Sequence, residues 1–298
     1  MKLNQAIVTR PYTKFGRANS YIVGKEIKVQ NTICFISNVN LTGIEKIRSS
    51  AEIKPSYTAF VVKALSKAIV EFPYMNRRTY HWPFLPFLLR EQIFSTSDIS
   101  VAVERFIENE PGAVYSEVIR NPFRYSLQEL TEILSALANS TLETNQQWAD
   151  YHKMITTYPF LLGPFLAHLP CYFPQLWTKY RGGVAIVSSP AKYGVDQLVG
   201  WWTHPVGVSF GYVEKKAVVI DDKIEIVKMF SLSLNWDRRL MGGAQAAQFF
   251  NRFIEILENA ESELNQIETM TIEPQSEIAV SGFWSTMEKF FSIGNRNG

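Results

Sequence analysis

A short charged turn in the C-terminal third of the chain carries the side chains that first suggest chemistry. It reads Asp237-Arg238-Arg239-Leu240-Met241-Gly242-Gly243. Arginine stays protonated up to about pH 12, so Arg238 cannot act as a general base at neutral pH. Arg238 could instead bind a carboxylate or a phosphate or stabilise an oxyanion, or it could lie on the turn surface or pair with Asp237. By itself the turn identifies no reaction.

A base for proton transfer would have to come from elsewhere in the chain. General-base catalysis needs a pKa near the working pH, and histidine meets this requirement most often. The chain offers four histidines, His81, His152, His168 and His204. A lone histidine is more often a hydrogen-bonded amphipathic residue than a catalyst.

A predicted strand and a predicted helix hold this turn between them. Phe230, Leu232 and Leu234 alternate with polar residues, which is the period of a half-buried β-strand. After the turn, apolar residues recur at helical spacing, at Phe249, Phe250, Phe253, Ile254 and Leu257. Rigid elements on both sides fix the side chains of a turn while leaving them reachable.

The remaining periodicity predicts a mixture of strands and helices. Apolar segments indicate strands over residues 31–39, 98–103, 113–119, 217–220 and 224–229. Asp221-Asp222 is placed to make the hairpin turn between the last two. A helix with an apolar stripe begins at Pro55-Ser56-Tyr57 and ends before Pro73, and Ser126 begins another with a capping-box pattern.

Length and composition set wide bounds on function. The 298 residues could form one large domain or two small ones, and 46% hydrophobic residues are enough for a sizeable core. A net charge of +2, from 30 basic and 28 acidic residues, gives no basic surface of the kind that binds nucleic acid.

The two cysteines, Cys34 and Cys171, are not spaced as in metal-binding or redox motifs. We therefore expect both to be core residues in a reduced, cytoplasmic protein. No signal peptide is recognisable at the start.

The turn resembles the C-terminal signature of the dihydrolipoyl acyltransferases of 2-oxo acid dehydrogenase complexes, a group related to chloramphenicol acetyltransferase. In that family the turn reads Asp-His-Arg, two apolar residues, Asp or Asn, and then Gly-Ala. The residues that fit are Asp237, Arg239, Leu240, Met241, Gly243 and Ala244. Arg238 stands at the position of the family's histidine, and Gly242 stands at the position of its Asp or Asn. The motif is therefore degenerate at both reactive positions.

Two further segments carry the same resemblance. The run from Ser56 to Asn76 is similar to a family helix that ends in Phe-Pro and an Asn, and the block from Arg181 to Ser189 is similar to a Gly-Gly, strand, Ser block. Ser188 falls on the family position whose hydroxyl hydrogen-bonds the developing oxyanion. His204 precedes a matching Pro205, which makes it a weak candidate for the missing base. The resemblance covers residues 31–261 with one interruption.

The resemblance implies an α+β, chloramphenicol acetyltransferase-like fold, with a mixed β-sheet flanked by helices as a two-layer sandwich. It implies a homotrimer, because the family builds its active site between subunits. We expect a catalytic-type domain over residues 1–265, without the family's lipoyl and subunit-binding domains, then a linker and amphipathic C-terminal helix over 266–298. The implied substrate is coenzyme A or an acyl thioester. In such a thioester, coenzyme A or an acyl carrier protein carries the acyl group. We expect no permanently bound cofactor.

The interruption is an apolar insert over residues 151–180. Residues 154–177 are long enough to span a membrane, but Pro159, Pro164, Pro170 and Pro174 argue against a straight transmembrane helix. A helical hairpin packed on the body or between subunits is one interpretation. A lid over a long acyl chain and a peripheral membrane contact through residues 154–177 are the others.

Two hypotheses follow from these residues. In the first, the protein is an acyltransferase in which Ser188 and Arg238 hold the oxyanion, while an unusual residue or the substrate amine supplies the base. In the second, the protein is a trimeric scaffold or ligand-binding protein without catalysis. Replacement of both reactive positions of the turn favours the second, and retention of Ser188 together with the added insert favours the first.

Overall fold

The structure is a computed structural model that describes residues 32–82, 85–107, 110–157 and 162–264, together with residues 14, 21 and 25. Its strands are β1 (Thr32–Asn40), β2 (Arg77–Trp82), β3 (Leu85–Ile93), β4 (Ile99–Ile107), β5 (Glu110–Ile119), β6 (Ala185–Ser188), β7 (Val206–Phe210), β8 (Glu214–Ile220) and β9 (Lys223–Asp237). Its helices are α1 (Thr42–Ser50), α2 (Tyr57–Glu71), α3 (Leu127–Asn139), α4 (Gln146–Thr156), α5 (Leu162–Tyr172), α6 (Pro174–Arg181), α7 (Gly243–Glu258) and α8 (Ala260–Glu263). The tail predicted over residues 266–298 lies outside the described residues.

A mixed sheet organises the fold. Its strands run in the order β1-β9-β7-β6-β4-β5, and β8 pairs with the first part of β9. The β4–β6 and β6–β7 pairs are parallel, and the other pairs are antiparallel. Helices α2 and α7 pack together over one face and enclose the main core with it. The predicted α+β, two-layer arrangement is confirmed.

Local signals account for several of these elements. The Ser56 hydroxyl accepts a hydrogen bond from the Ala59 N–H at 3.2 Å and begins α2. Ser126 and Glu129 form both hydrogen bonds of the predicted capping box at the start of α3. Asp221 and Asp222 have φ values of 48° and 62° in the predicted hairpin turn. Two left-handed residues in succession match the right-handed twist of the flanking strands.

Burial differs from the predicted pattern in two elements. The polar face of β9, with Ser231, Ser233 and Asn235, is as buried as its apolar face, so the prediction of a half-buried strand is wrong there. Residues 195–202 cover that face, and the Ser233 hydroxyl donates to the Leu198 carbonyl at 2.8 Å. Helix α2 is buried on nearly all sides rather than along one stripe, and the buried Lys67 pairs with Glu263 at 3.1 Å.

The insert folds as helices that pack on the body. Helices α4 and α6 contact β5, and α5 contacts β2. The Arg78 guanidinium donates to the Cys171 carbonyl at 2.9 Å and joins α5 to the β2–β3 hairpin, which sequence patterns did not predict. Within the described ranges, no helix is both long enough and apolar enough to cross a bilayer.

Candidate active site

Three residues of neighbouring strands form a row on the sheet face opposite the main helices. The parallel register pairs Val101 with Val187, so Ala102 and Ser188 come next on β4 and β6, and Ala102 pairs with Ser116 on β5. Side chains alternate along a strand, and Val187 belongs to the main core while Ser188 points to the other side. The strand end thus presents the predicted Ser188 hydroxyl away from the core.

A cavity of about 250 Å³ lies against this row. Ala102, Ser116 and Ser188 line its sheet side, and helix α4 contributes Trp148 and Tyr151. Six aromatic residues are among those that line the cavity: Tyr115, Trp148, Tyr151, Tyr180, Trp201 and Trp202. Helix α4, the end of α6 and the loop between β6 and β7 therefore form, with the sheet, a concave site next to Ser188 that is lined largely by aromatic residues.

The loop between β6 and β7 closes one side of the cavity. Trp202 lies flat on the backbone of Gly207, where an added Cβ would come within 2.1 Å of the indole Cδ1. Only glycine leaves room for this contact, because the cavity-facing position of β7 would otherwise carry a side chain. The Ser189 hydroxyl donates to the Phe210 carbonyl at 2.8 Å and anchors the start of the same loop. These contacts fix the Trp201–Trp202 wall relative to Ser188.

Charged side chains in the cavity wall are neutralised or hydrogen-bonded. Glu117 forms a buried ion pair with Arg105, whose guanidinium also stacks 4.3 Å from the Trp148 ring. Arg181 lines the cavity and donates to the Tyr151 hydroxyl at 3.1 Å and to the Thr203 hydroxyl at 3.4 Å. The lining therefore combines aromatic surface with a buried cation.

His204, the predicted weak candidate base, lies in the protein interior. Its Nε2–H donates to the Arg181 carbonyl at 2.8 Å, its Nδ1 lies 3.2 Å from the Thr203 hydroxyl, and its ring packs on Trp177. Burial, together with the positive charge of Arg181, lowers the pKa of His204 to about 3. The neutral imidazole forms protein hydrogen bonds through both ring nitrogens. This arrangement fits a structural role better than the role of a general base.

Another histidine stands closer to the cavity. The hydroxyl of Tyr115, whose ring lines the cavity, shares a 2.8 Å hydrogen bond with Nδ1 of His152 on α4. His168 on α5 is buried, and burial followed by the charge of Arg181 lowers its pKa to about 4. No sequence pattern favours His152 over the other histidines, because its tyrosine partner is 37 residues away on β5.

The degenerate turn is held by its own acid. The carboxylate of Asp237 is almost fully buried and accepts from the Arg239 backbone N–H at 3.0 Å and from its Nε at 2.9 Å. Arg238 is exposed, and its Nη1 donates to the Met241 carbonyl at 2.8 Å. The turn conformation therefore depends on the Asp237–Arg239 pair, whereas Arg238 closes the turn from outside.

Ser188 and Arg238 are not neighbours within one chain. The register aligns Ser188 with Ser209 and Ser209 with Ser233. Asp237 ends β9 four residues beyond Ser233, which is about 13 Å along the strand. Arg238 lies further still, so the structure does not bring the two predicted site residues together in a single copy.

The next question is whether the described residues could bind a metal ion or supply a reactive thiol. No group of three or more His, Cys, Asp or Glu side chains in the described part of the chain is arranged to hold a metal ion. Cys34 and Cys171 are free and partly buried, and burial raises the pKa of the Cys34 thiol. A raised pKa disfavours the thiolate that a nucleophile would need.

Comparison with known proteins finds a family match over the segment that holds the turn and the strand-end serine. Residues 178–264 match the family model of the 2-oxoacid dehydrogenases acyltransferase (catalytic domain). The lipoamide acyltransferase component of the branched-chain alpha-keto acid dehydrogenase complex of Bacillus subtilis is 20% identical over 237 residues. That match covers 78% of this chain but 45% of the relative, so the chain spans less than half of the relative's length.

Solved structures of acyltransferases share the fold. A probable dihydrolipoamide acetyltransferase from Listeria monocytogenes superposes with a TM-score of 0.61 at 19% identity, over 90% of this chain and 99% of that one. The Azotobacter vinelandii dihydrolipoamide acetyltransferase gives a TM-score of 0.62 at 18% identity, over 87% and 94% of the two chains. Its structure was studied for the role of a serine, a histidine and an asparagine in catalysis. The predicted resemblance to the dihydrolipoyl acyltransferases is confirmed, and the chain shares the fold of their catalytic domains.

Proposed function

Taking the chain as a relative of the 2-oxoacid dehydrogenase acyltransferases, we propose that it binds an acyl thioester and transfers the acyl group at the Ser188 cavity. The single observation that carries this proposal is the position of Ser188. It ends a short rigid strand, lies half-buried in the wall of a cavity of about 250 Å³, and falls within the region that matches the catalytic-domain model.

The proposed role of Ser188 is to stabilise an oxyanion. When a nucleophile attacks a thioester carbonyl, negative charge develops on the carbonyl oxygen. A hydroxyl held by a strand end can donate a hydrogen bond to that oxygen without reorganisation at the moment of reaction. The Ser189 hydroxyl is already committed to the Phe210 carbonyl, so the neighbouring serine does not compete for this role.

The proton acceptor must differ from the family's histidine. Arg238 remains protonated and can only bind an anion or stabilise developing charge. An acceptor amine that is neutral at the working pH needs no protein base for its attack, and this is the simplest route. The Tyr115–His152 pair at the cavity wall is the protein group best placed to take a proton otherwise.

We propose a homotrimer in which two copies complete each site. Ser188 and the Asp237–Gly243 turn lie at opposite ends of their aligned strands within one copy. A neighbouring copy could place its turn, with the exposed Arg238, opposite Ser188. Coenzyme A or a carrier protein would present the thioester, and no permanently bound cofactor is needed.

The second candidate is a trimeric scaffold or ligand-binding protein without turnover. Arg238 and Gly242 occupy both reactive positions of the family turn, and this observation favours it. Both candidates retain a cavity that binds an acyl group, so turnover separates them and binding does not.

The test is thioester turnover by purified protein, measured as release of coenzyme A from a panel of acyl-coenzyme A donors with amine and thiol acceptors. We expect turnover that falls about a hundredfold in Ser188→Ala. Ser209→Ala is the matched control, because Ser209 is the aligned residue on β7 and its buried hydroxyl has no hydrogen-bond partner in the described structure. Turnover that Ser188→Ala leaves intact would overturn the proposed oxyanion role, and no turnover with any donor would favour the scaffold.

A further inference from the structure

The cavity beside Ser188 extends across three strands of the sheet. The register places Ala102 of β4 beside Ser188 of β6, and Ala102 pairs with Ser116 of β5. All three residues line the cavity. Neighbouring strands lie about 4.8 Å apart, so this floor runs for about 10 Å from Ser188 to Ser116. An occupant that begins at the proposed oxyanion donor can therefore extend along the floor towards β5.

Helix α4 borders the cavity at the β5 end. Its Tyr151 packs edge to face on Tyr115 of β5, with the ring centroids 6.2 Å apart. The Tyr151 hydroxyl donates to the Ala167 carbonyl at 3.2 Å and accepts from the Arg181 guanidinium at 3.1 Å. Two hydrogen bonds and a ring contact hold this side chain in place, so the cavity has a fixed end wall.

The dimensions of the cavity limit the size of its occupant. A cavity of about 150 Å³ lined by apolar side chains accommodates one benzene molecule. The present cavity, at about 250 Å³, has room for roughly six to ten carbon atoms at similar filling. An extended chain advances about 1.2 Å per bond, so a chain of about eight carbon atoms is about 8 Å long and fits on the floor. Volume and length therefore indicate the same size of acyl group.

Apolar side chains flank the floor. Val114 and Ile186 line the cavity together with the six aromatic residues described above. Each methylene group that leaves water for such surroundings raises the affinity by up to about fourfold. An acetyl group would leave most of this surface uncovered, so the lining favours an acyl chain that reaches across the floor.

We propose that the cavity binds a straight, saturated acyl chain of about six to eight carbon atoms, with its carbonyl group at Ser188 and its methyl end at Tyr151. The proposal rests on the proposed function, because the acyl group is taken to be the transferred part of the thioester. It adds the substrate class, a medium-chain acyl thioester. It also assigns Ala102, in the middle of the floor, as a residue that determines the accepted chain length.

The test is titration calorimetry of the intact protein with a series of straight-chain coenzyme A thioesters: acetyl, butanoyl, hexanoyl, octanoyl, decanoyl and dodecanoyl. We expect the affinity to rise about two- to fourfold for each added methylene group as far as octanoyl. Beyond octanoyl the affinity should stay constant or fall, because Tyr151 blocks the end of the floor. Equal affinity throughout the series, or an affinity that still rises from decanoyl to dodecanoyl, would overturn the proposal.

Ala102→Leu tests the position of the chain. The added side chain would fill the middle of the floor and should lower the affinity for octanoyl-coenzyme A by about tenfold or more. Ala217→Leu is the matched control, because Ala217 is an exposed strand alanine on β8 outside the cavity, and it should leave the series unchanged. Equal octanoyl affinity in the two variants, with circular dichroism showing both folded, would also overturn the proposal. The series in the unmodified protein decides the question if Ala102→Leu does not fold.

The experiment also separates this inference from the proposed function. Binding that is tightest near octanoyl, without turnover of any thioester, would keep the inference and remove the acyl transfer. Turnover of acetyl-coenzyme A that depends on Ser188, with binding independent of chain length, would keep the acyl transfer and remove the inference.

Discussion

Replacement of Gly207 by alanine should push Trp202 out of the cavity wall. The added Cβ would lie 2.1 Å from the indole Cδ1 and 2.2 Å from its Cγ. Carbon atoms pack at about 3.5 to 4.0 Å, so the ring would have to move by about 1.5 Å. Overpacking of this kind destabilises by about 1–3 kcal/mol. We expect Gly207→Ala to lower the free energy of unfolding by that amount.

The assay is urea unfolding followed by far-ultraviolet circular dichroism, in a double-mutant cycle with Trp202→Ala. Once the indole is removed, the methyl group of Gly207→Ala has space, so the double variant should be more stable than the sum of the single effects by about 1–3 kcal/mol. Gly200→Ala is the control, because no atom lies within 4 Å of its added Cβ, and it should change stability by less than about 0.5 kcal/mol. Additive effects, or a Gly207→Ala variant as stable as Gly200→Ala, would refute the packing of Trp202 on β7.

Three further predictions concern charge, pH and the turn. Glu117→Gln leaves the buried Arg105 without its carboxylate and should destabilise by about 3–5 kcal/mol in urea unfolding, whereas Glu91→Gln in the partly exposed Arg77–Glu91 pair should change stability by less than about 1 kcal/mol. His204 and His168 have folded-state pKa values lowered to about 3 and about 4, so both are neutral when folded and take up protons on unfolding below about pH 6.5. Their contribution to stability is present above pH 6.5 and is lost as the pH falls towards 4. His204→Gln should reduce the slope of unfolding free energy against pH by about 1.4 kcal/mol per pH unit there, and an unchanged slope would contradict the assigned pKa. Arg238→His combined with Gly242→Asn restores the family turn and should raise thioester turnover with a thiol acceptor about a hundredfold; an unchanged rate would show that the turn does not reach the reacting atoms.

The sequence predicted the elements whose signals are local. The caps at Ser56 and Ser126 and the left-handed Asp221-Asp222 turn depend on residues close in the chain, and each was placed correctly. The burial of Ser231 and Ser233 could not be predicted in the same way. Their cover is residues 195–202, an irregular segment without a hydrophobic period, which crosses β9 from a distant part of the chain.

In the candidate site, too, the part carried by a local sequence motif was predicted and the part built from distant segments was not. Ser188 came from a resemblance to a family motif, and the structure places it at a strand end facing a cavity. The cavity itself was not predicted, because its wall joins α4 to β4, β5 and the Trp201–Trp202 loop through contacts far apart in sequence. Trp148 belongs to this wall, and no pattern in the sequence singled it out.

The most direct measurement is a crystal structure of the protein bound to an analogue of acetyl-coenzyme A in which a methylene group replaces the thioester sulfur, so that the carbonyl group becomes a ketone. We expect the ketone oxygen to lie within about 3.2 Å of the Ser188 hydroxyl, with the turn of a neighbouring copy opposite. An analogue bound with its acyl group elsewhere, while the Ser188 cavity stays empty, would contradict the assignment of this cavity as the acyl site.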